Sequence, residues 1–177
     1  MSFTDEHEDV HKKGHLHGIE VFNDYSLFPI VSDWCNEYDL GIVAVSDVHT
    51  SEFHTYGLQN VRRPITLILA ESRTETSIRD AFFAHRTIGW VADMIFGRQE
   101  WVEKLFASCV EASVAHGNVT LRNKGDIPMH LRFSGDIHEL ESQSEITFRF
   151  AAADRLQVMN WYVGTDKPLE ISFDRWV

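Results

Sequence analysis

The sequence predicts an α/β fold. Mostly parallel strands with crossover helices occupy residues 1–115, and a small antiparallel β module occupies residues 116–177. Three observations carry this. Short apolar runs alternate with amphipathic stretches from Gly18 to about Val110, the succession expected of β-α-β units. Beyond Gly117 the apolar period becomes two, as in strands with one buried face. The chain has 177 residues, 44% hydrophobic and 12% aromatic, which is enough to bury a core.

Residues 19–22 read as a short strand. Pro29 stands where helices accept proline, and Val31, Trp34, Cys35 and Tyr38 follow at helical spacing until Gly41 ends the helix. Residues 42–45 are a continuous apolar strand. Residues 65–70, ITLILA, are apolar on both faces, as a strand covered on both sides should be. Thr74 is an N-cap for a helix to about His85, with Ile78, Ala81 and Phe82 on its inner stripe. Residues 87–91 form a further strand. After Gly97, residues 98–110 return to helical spacing, with Trp101, Leu105 and Cys109 inward. In the second segment Met129, Leu131 and Phe133 alternate with polar residues, as do Ile146, Phe148 and Phe150, and then Leu169, Ile171 and Phe173. Turn residues at 123–126, 134–136 and 164–168 separate them, so four or five antiparallel strands in a small sandwich-like module are expected.

The formal charge of −11 disfavours nucleic acid as a partner. Two cysteines, Cys35 and Cys109, make no disulfide framework and no C-x-x-C motif. The amino terminus is polar and no apolar run approaches the length of a membrane span. A cytoplasmic protein is therefore expected, or an exported one if the natural start lies upstream.

The chemistry-bearing pattern lies at VAVSDVH, where the strand at 42–45 runs into Asp47 and His49. Functional groups in β/α folds gather at the carboxyl ends of strands. A carboxylate and an imidazole two positions apart suit a divalent transition metal such as zinc, manganese or iron. A solvated strand end is the alternative. Asn23, ending the preceding strand, lines the same mouth or simply makes a turn. His15 and His17 also alternate, but they precede their strand and so sit at the other end of the sheet. His7 and His11 have the i, i+4 spacing of a zinc pair, yet Glu6, Glu8, Asp9 and Lys12 around them make a solvated helical face. His85, His116, His130 and His138 show no partner pattern. Glycine-rich phosphate loops, G-x-S-x-G and H-E-x-x-H are absent from the sequence, and Arg62, Arg63, Arg73 and Arg86 are scattered.

With these residues in view, the first two-thirds resembles the C-terminal part of the PHP (polymerase and histidinol phosphatase) superfamily. The resemblance is carried by HGIEVFN at 17–23, DWCNEYDLGIVAVSDVH at 33–49, RPITLILAESRTETSIRDAFFAHRT at 63–87 and MIFGRQEWVEKLFASCVEASV at 94–114. It implies part of a distorted (β/α) barrel, divalent metals at the carboxyl ends of its strands, and a phosphate ester as substrate. Asp47 and His49 match the last metal ligands of the family set. The family's opening H-x-H, its S-D-G turn, a further histidine, a glutamate and an H-P element have no counterpart here. His15-Leu16-His17 imitates the first motif only on paper. A truncated phosphoesterase is therefore expected, binding metal weakly and inactive alone. The alternatives are a non-catalytic interaction protein and half of a split phosphoesterase. Missing barrel strands would leave an uncovered edge near residues 19–22, favouring a homo-oligomer or a complementing N-terminal half.

Overall fold

A computed structural model describes residues 2–51, 56, 62–149 and 155–172. The elements run α1 (Asp5–Lys12), β1 (Gly18–Asn23), β2 (Ser26–Leu27), α2 (Ile30–Glu37), β3 (Gly41–Ala44), β4 (Ile65–Ile68), α3 (Glu75–Phe83), β5 (Thr87–Val91), β6 (Met94–Gly97) and α4 (Gln99–Cys109). They continue as β7 (Val110–Ala115), β8 (Asn118–Asn123), β9 (Met129–Phe133), β10 (Asp136–Leu140), β11 (Glu145–Arg149), β12 (Arg155–Gly164) and β13 (Lys167–Ser172). Phe150 and Phe173, assigned above to the alternating strands, lie outside the described residues. No helix among the described residues is long and apolar enough to cross a membrane.

Three sheets result. One has the order β2-β1-β3, and another is the antiparallel trio β11-β8-β7. The largest runs β10-β9-β12-β6-β5-β4, with β13 paired to β12. The βαβ unit expected at residues 19–45 is present, since β1 and β3 pair in parallel with α2 between them. The rest overturns the expectation of a mostly parallel, partial (β/α) barrel with crossover helices. Among the described residues the other parallel pair is β6–β12, and the protein is β-rich, with mixed and antiparallel sheets curled as a half-barrel. The physical reason is visible in two connections. β5 and β6 are joined by Ala92 and Asp93 alone, with Val91 opposite Met94, and two residues permit only an antiparallel return. β4 and β5 also run antiparallel, Ile65 facing Trp90 and Ile68 facing Thr87. The Leu69 amide donates to the Arg86 carbonyl at 2.9 Å, so α3 leaves and re-enters at the same end of the ladder instead of crossing the sheet.

α3 is thus not a crossover helix. Thr74 caps it as expected, its Oγ1 accepting from the Ser77 amide at 3.3 Å. Ala81 is its fully buried residue, whereas Ile78 from the expected inner stripe is 40% exposed. β4 is correspondingly half-buried from Ile65 to Leu67, exposed at Ile68, and not covered on both faces. α4 does cover the sheet. Val102 and Phe106 are fully buried, with Trp101, Leu105 and Cys109 packed at their margin.

The core has two parts. The larger joins β5 and β6 to β8, β9, β12 and β13 through Ile88, Ile95, Leu121, Met129, Leu131, Leu156, Trp161 and Leu169, and the main sheet takes strands from both sides of residue 115. The smaller packs Val21 and Ile42 from the parallel pair against Val31 and Cys35 of α2 and against Val91 and Phe96. The two parts meet at Gly89, where an added Cβ would lie 3.0 Å from Val21 Cγ1 and 3.2 Å from Ala44 Cβ. Near residues 19–22, where an uncovered edge was expected, β1 is paired with β3 along its length, whereas β2 pairs with it only at Phe22 and Asn23; Val21 is fully buried. The edge strand β2 is only two residues long, which limits what can pair with it.

Candidate functional site

The site grows from the end of β3. The Val45 amide donates to the Phe22 carbonyl at 3.0 Å, extending the β1–β3 ladder by one residue. Thr66 of β4 clasps Ala44 from the other side: the Ala44 amide donates to Oγ1 at 3.0 Å, and the hydroxyl donates to the Ala44 carbonyl at 2.9 Å. The chain then turns at Asp47, whose φ of +45° is a left-handed conformation that aspartate tolerates better than most side chains. The backbone at Asp47 is therefore not extended, so a simple strand alternation is not what brings Asp47 and His49 together. They still meet. His49 Nε2 lies 3.3 Å from Asp47 Oδ1, on an open surface where the imidazole is 86% and the carboxylate 51% exposed.

Asp47 also borders an open groove of about 720 Å³, lined by Glu20 and Asn23 of β1, by Asp24 of the β1–β2 turn, by His7 and by Trp34. Asn23 satisfies both readings of it. It sits at a tight turn, pairing with Ser26, and lines the groove with Asp47. Its Nδ2 donates to the Glu20 carboxylate. Three carboxylates and no lysine or arginine line this groove among the described residues, so its field favours cations. Glu20 and Asp24 were not singled out by sequence. The signal for Glu20 was a charge inside an otherwise apolar strand.

The remaining histidines have other occupations. His7 Nδ1 accepts from the Thr4 amide at 3.1 Å, capping α1, and His11 Nε2–H donates to the Tyr38 carbonyl at 3.0 Å. His15 and His17 precede β1, away from Asp47, and His17 meets the Phe83 ring edge-on at 4.9 Å between centroids. His85 approaches Asp39 at 3.7 Å, and His130 approaches Asp93 at the same distance. His116 forms the β7–β8 turn with Gly117, at φ +53° and +77°. His138 stacks on Phe133 with centroids 4.3 Å apart.

A metal can be tested against these donors. In a tetrahedral site with bonds of about 2.0–2.2 Å, neighbouring ligand atoms stand roughly 3.4 Å apart. The 3.3 Å between Asp47 Oδ1 and His49 Nε2 fits one edge of such a site. The donor set does not fit a whole one, because no group of three or more His, Cys, Asp or Glu is placed to hold an ion among the described residues. Structural zinc takes four protein ligands and catalytic zinc takes three.

No family model matches the chain, and no curated protein matches it. A solved structure shares its fold. It is the crystal structure of a two-domain protein from Bacteroides vulgatus ATCC 8482, described as containing a predicted PHP-like metal-dependent phosphoesterase. It aligns with TM-score 0.85 and 22% identity over 96% of this chain and 56% of that one. The chain thus spans little more than half the length of the protein it matches. At this identity the likeness establishes the fold.

Proposed function

We propose that this chain is a portion of a PHP-like, divalent-metal-dependent phosphoesterase, contributing Asp47 and His49 to a metal site that its described residues do not complete. The observation that carries the reading is the shared fold with a protein described as containing a PHP-like metal-dependent phosphoesterase. The convergence of Asp47 and His49 beyond β3, with their atoms 3.3 Å apart, supports the assignment of the pair. The acidic groove beside Asp47 adds a physical reason for a cation. Glu20, Asp24 and Asp47 would repel a phosphate ester unless positive charge stood between them.

In this reading the chain's own residues bind and orient; they do not carry out turnover. The exposed pair holds an ion weakly, and nothing among the described residues excludes water around it. The chain alone is therefore inactive. The test is hydrolysis of an aryl phosphate by the purified chain with manganese or zinc. The expected result is no turnover above that of the metal alone. Robust metal-dependent turnover that disappears in Asp47→Ala would overturn the inactivity. A second reading, a non-catalytic interaction protein, is favoured by the same exposure and by the lack of a third donor among the described residues. The two separate on addition of a polypeptide carrying the H-x-H half: restored hydrolysis supports a split or truncated enzyme, and its absence supports the interaction protein.

A further inference from the structure

We propose that the chain pairs with a second copy of itself through the exposed face of α3. Positions 75, 78, 79, 82 and 83 form one stripe along this helix. Together with Ile68 they line a hollow of about 580 Å³. Three of the seven exposed large hydrophobic residues among those described fall here: Ile68, Ile78 and Phe83, at 36%, 40% and 48% exposure. The other four, Val10, Tyr25, Val114 and Ile137, lie on α1, the β1–β2 turn, β7 and β10. Isolated exposed apolar side chains need no explanation, but a cluster on a concave face does.

The charges on the stripe select the occupant. The chain carries −11 overall, so most approaches between two copies bring like charges together. This face instead carries one acid, Glu75, and one base, Arg79, whose guanidinium lies 5.8 Å from the Phe83 ring centroid. A strongly basic or acidic partner would call for a rim of one sign. A rim with one charge of each sign is self-complementary under a two-fold axis, the symmetry of an isologous dimer. With two α3 helices antiparallel about an axis near position 77, Glu75 of each copy faces Arg79 of the other, and the two Ile78 side chains meet beside the axis. Nine residues of helix span only about 13 Å, so the contact is small. A reversible dimer with a dissociation constant of about 10–100 μM follows.

Sedimentation velocity on the full chain tests this from about 1 to 300 μM, a range set by that constant. The mass should rise from one copy towards two. Glu75→Arg and Arg79→Glu should each weaken association about tenfold, and the double reversal should restore it. Ile78→Glu should abolish it. Should that variant fail to fold by circular dichroism, the charge reversals at exposed positions still decide the matter. A constant monomer mass across the range would overturn the proposal. So would a dimer indifferent to both single reversals, because its contact would lie elsewhere.

Discussion

Asn160 is 4% exposed and hydrogen-bonded through both ends of its amide. Its Nδ2 donates to the Asp93 carbonyl at 2.6 Å and to the Pro128 carbonyl at 2.9 Å, and its Oδ1 accepts from the His130 amide at 3.0 Å. One side chain of β12 thus pins the β5–β6 turn and the start of β9. Asn160→Leu removes three bonds and strands buried backbone groups, so a loss of about 2–4 kcal/mol is expected in urea unfolding. Cys35 makes a different point. Burial pushes its thiol up to about 12, and its Sγ–H donates to the Gly41 carbonyl at 3.4 Å. At pH 8 a thiol reagent should leave Cys35 unmodified in the native protein and label it on unfolding.

Asp39 is held below the usual carboxylate range by a hydrogen bond from Arg98, aided by the Arg98 charge and by His85. A depressed folded pKa contributes stability above the unfolded value of about 3.9, lost as pH falls through the folded value. Arg98→Ala should therefore flatten the acid limb of the stability profile below about pH 4. The effect should be about 0.5 kcal/mol or less, because the Asp39 side chain is 75% exposed. At this scale the sequence was informative about types and silent about partners. The acidic neighbours of His7 and His11 marked a solvated helix, and both rings turned out to serve α1 and Tyr38. Nothing in the spacing of Asp39, His85 and Arg98 hinted that three distant corners would meet.

At the scale of elements, periodicity located several strands and helices but not β6, β7 or the long central strand β12. Strand candidates at residues 19–22, 42–45 and 65–70 overlap β1, β3 and β4, and Thr74 does cap α3. Periodicity did not give the sense of pairing, because an apolar run looks the same whichever way its neighbour points. What decided it was connection length. The two residues between β5 and β6 fix an antiparallel return, and the 69–86 segment closes on itself through the Leu69–Arg86 bond. Gly89 shows how closely the resulting layers approach. Gly89→Val would place methyl groups within the reach of Val21 and Ala44 and should cost about 1–3 kcal/mol, read as a lower denaturation midpoint with unchanged slope.

For the whole molecule, the candidate site was legible only as a pair. The residues at 47 and 49 stand out because an apolar strand runs into them, and the structure places their polar atoms 3.3 Å apart. The groove beside them was not legible, because Glu20, Asp24 and His7 come together through the packing of α1 and the β1–β2 turn, not through spacing. Among the described residues no third His, Cys, Asp or Glu joins the pair to make a metal-holding group. The most direct test is isothermal titration calorimetry of zinc and manganese into the chain and into Asp47→Ala. The account predicts a single weak event, with a dissociation constant of about 0.1 mM or weaker, lost in the variant. Sub-micromolar binding of two or more ions, or binding indifferent to Asp47→Ala, would contradict it.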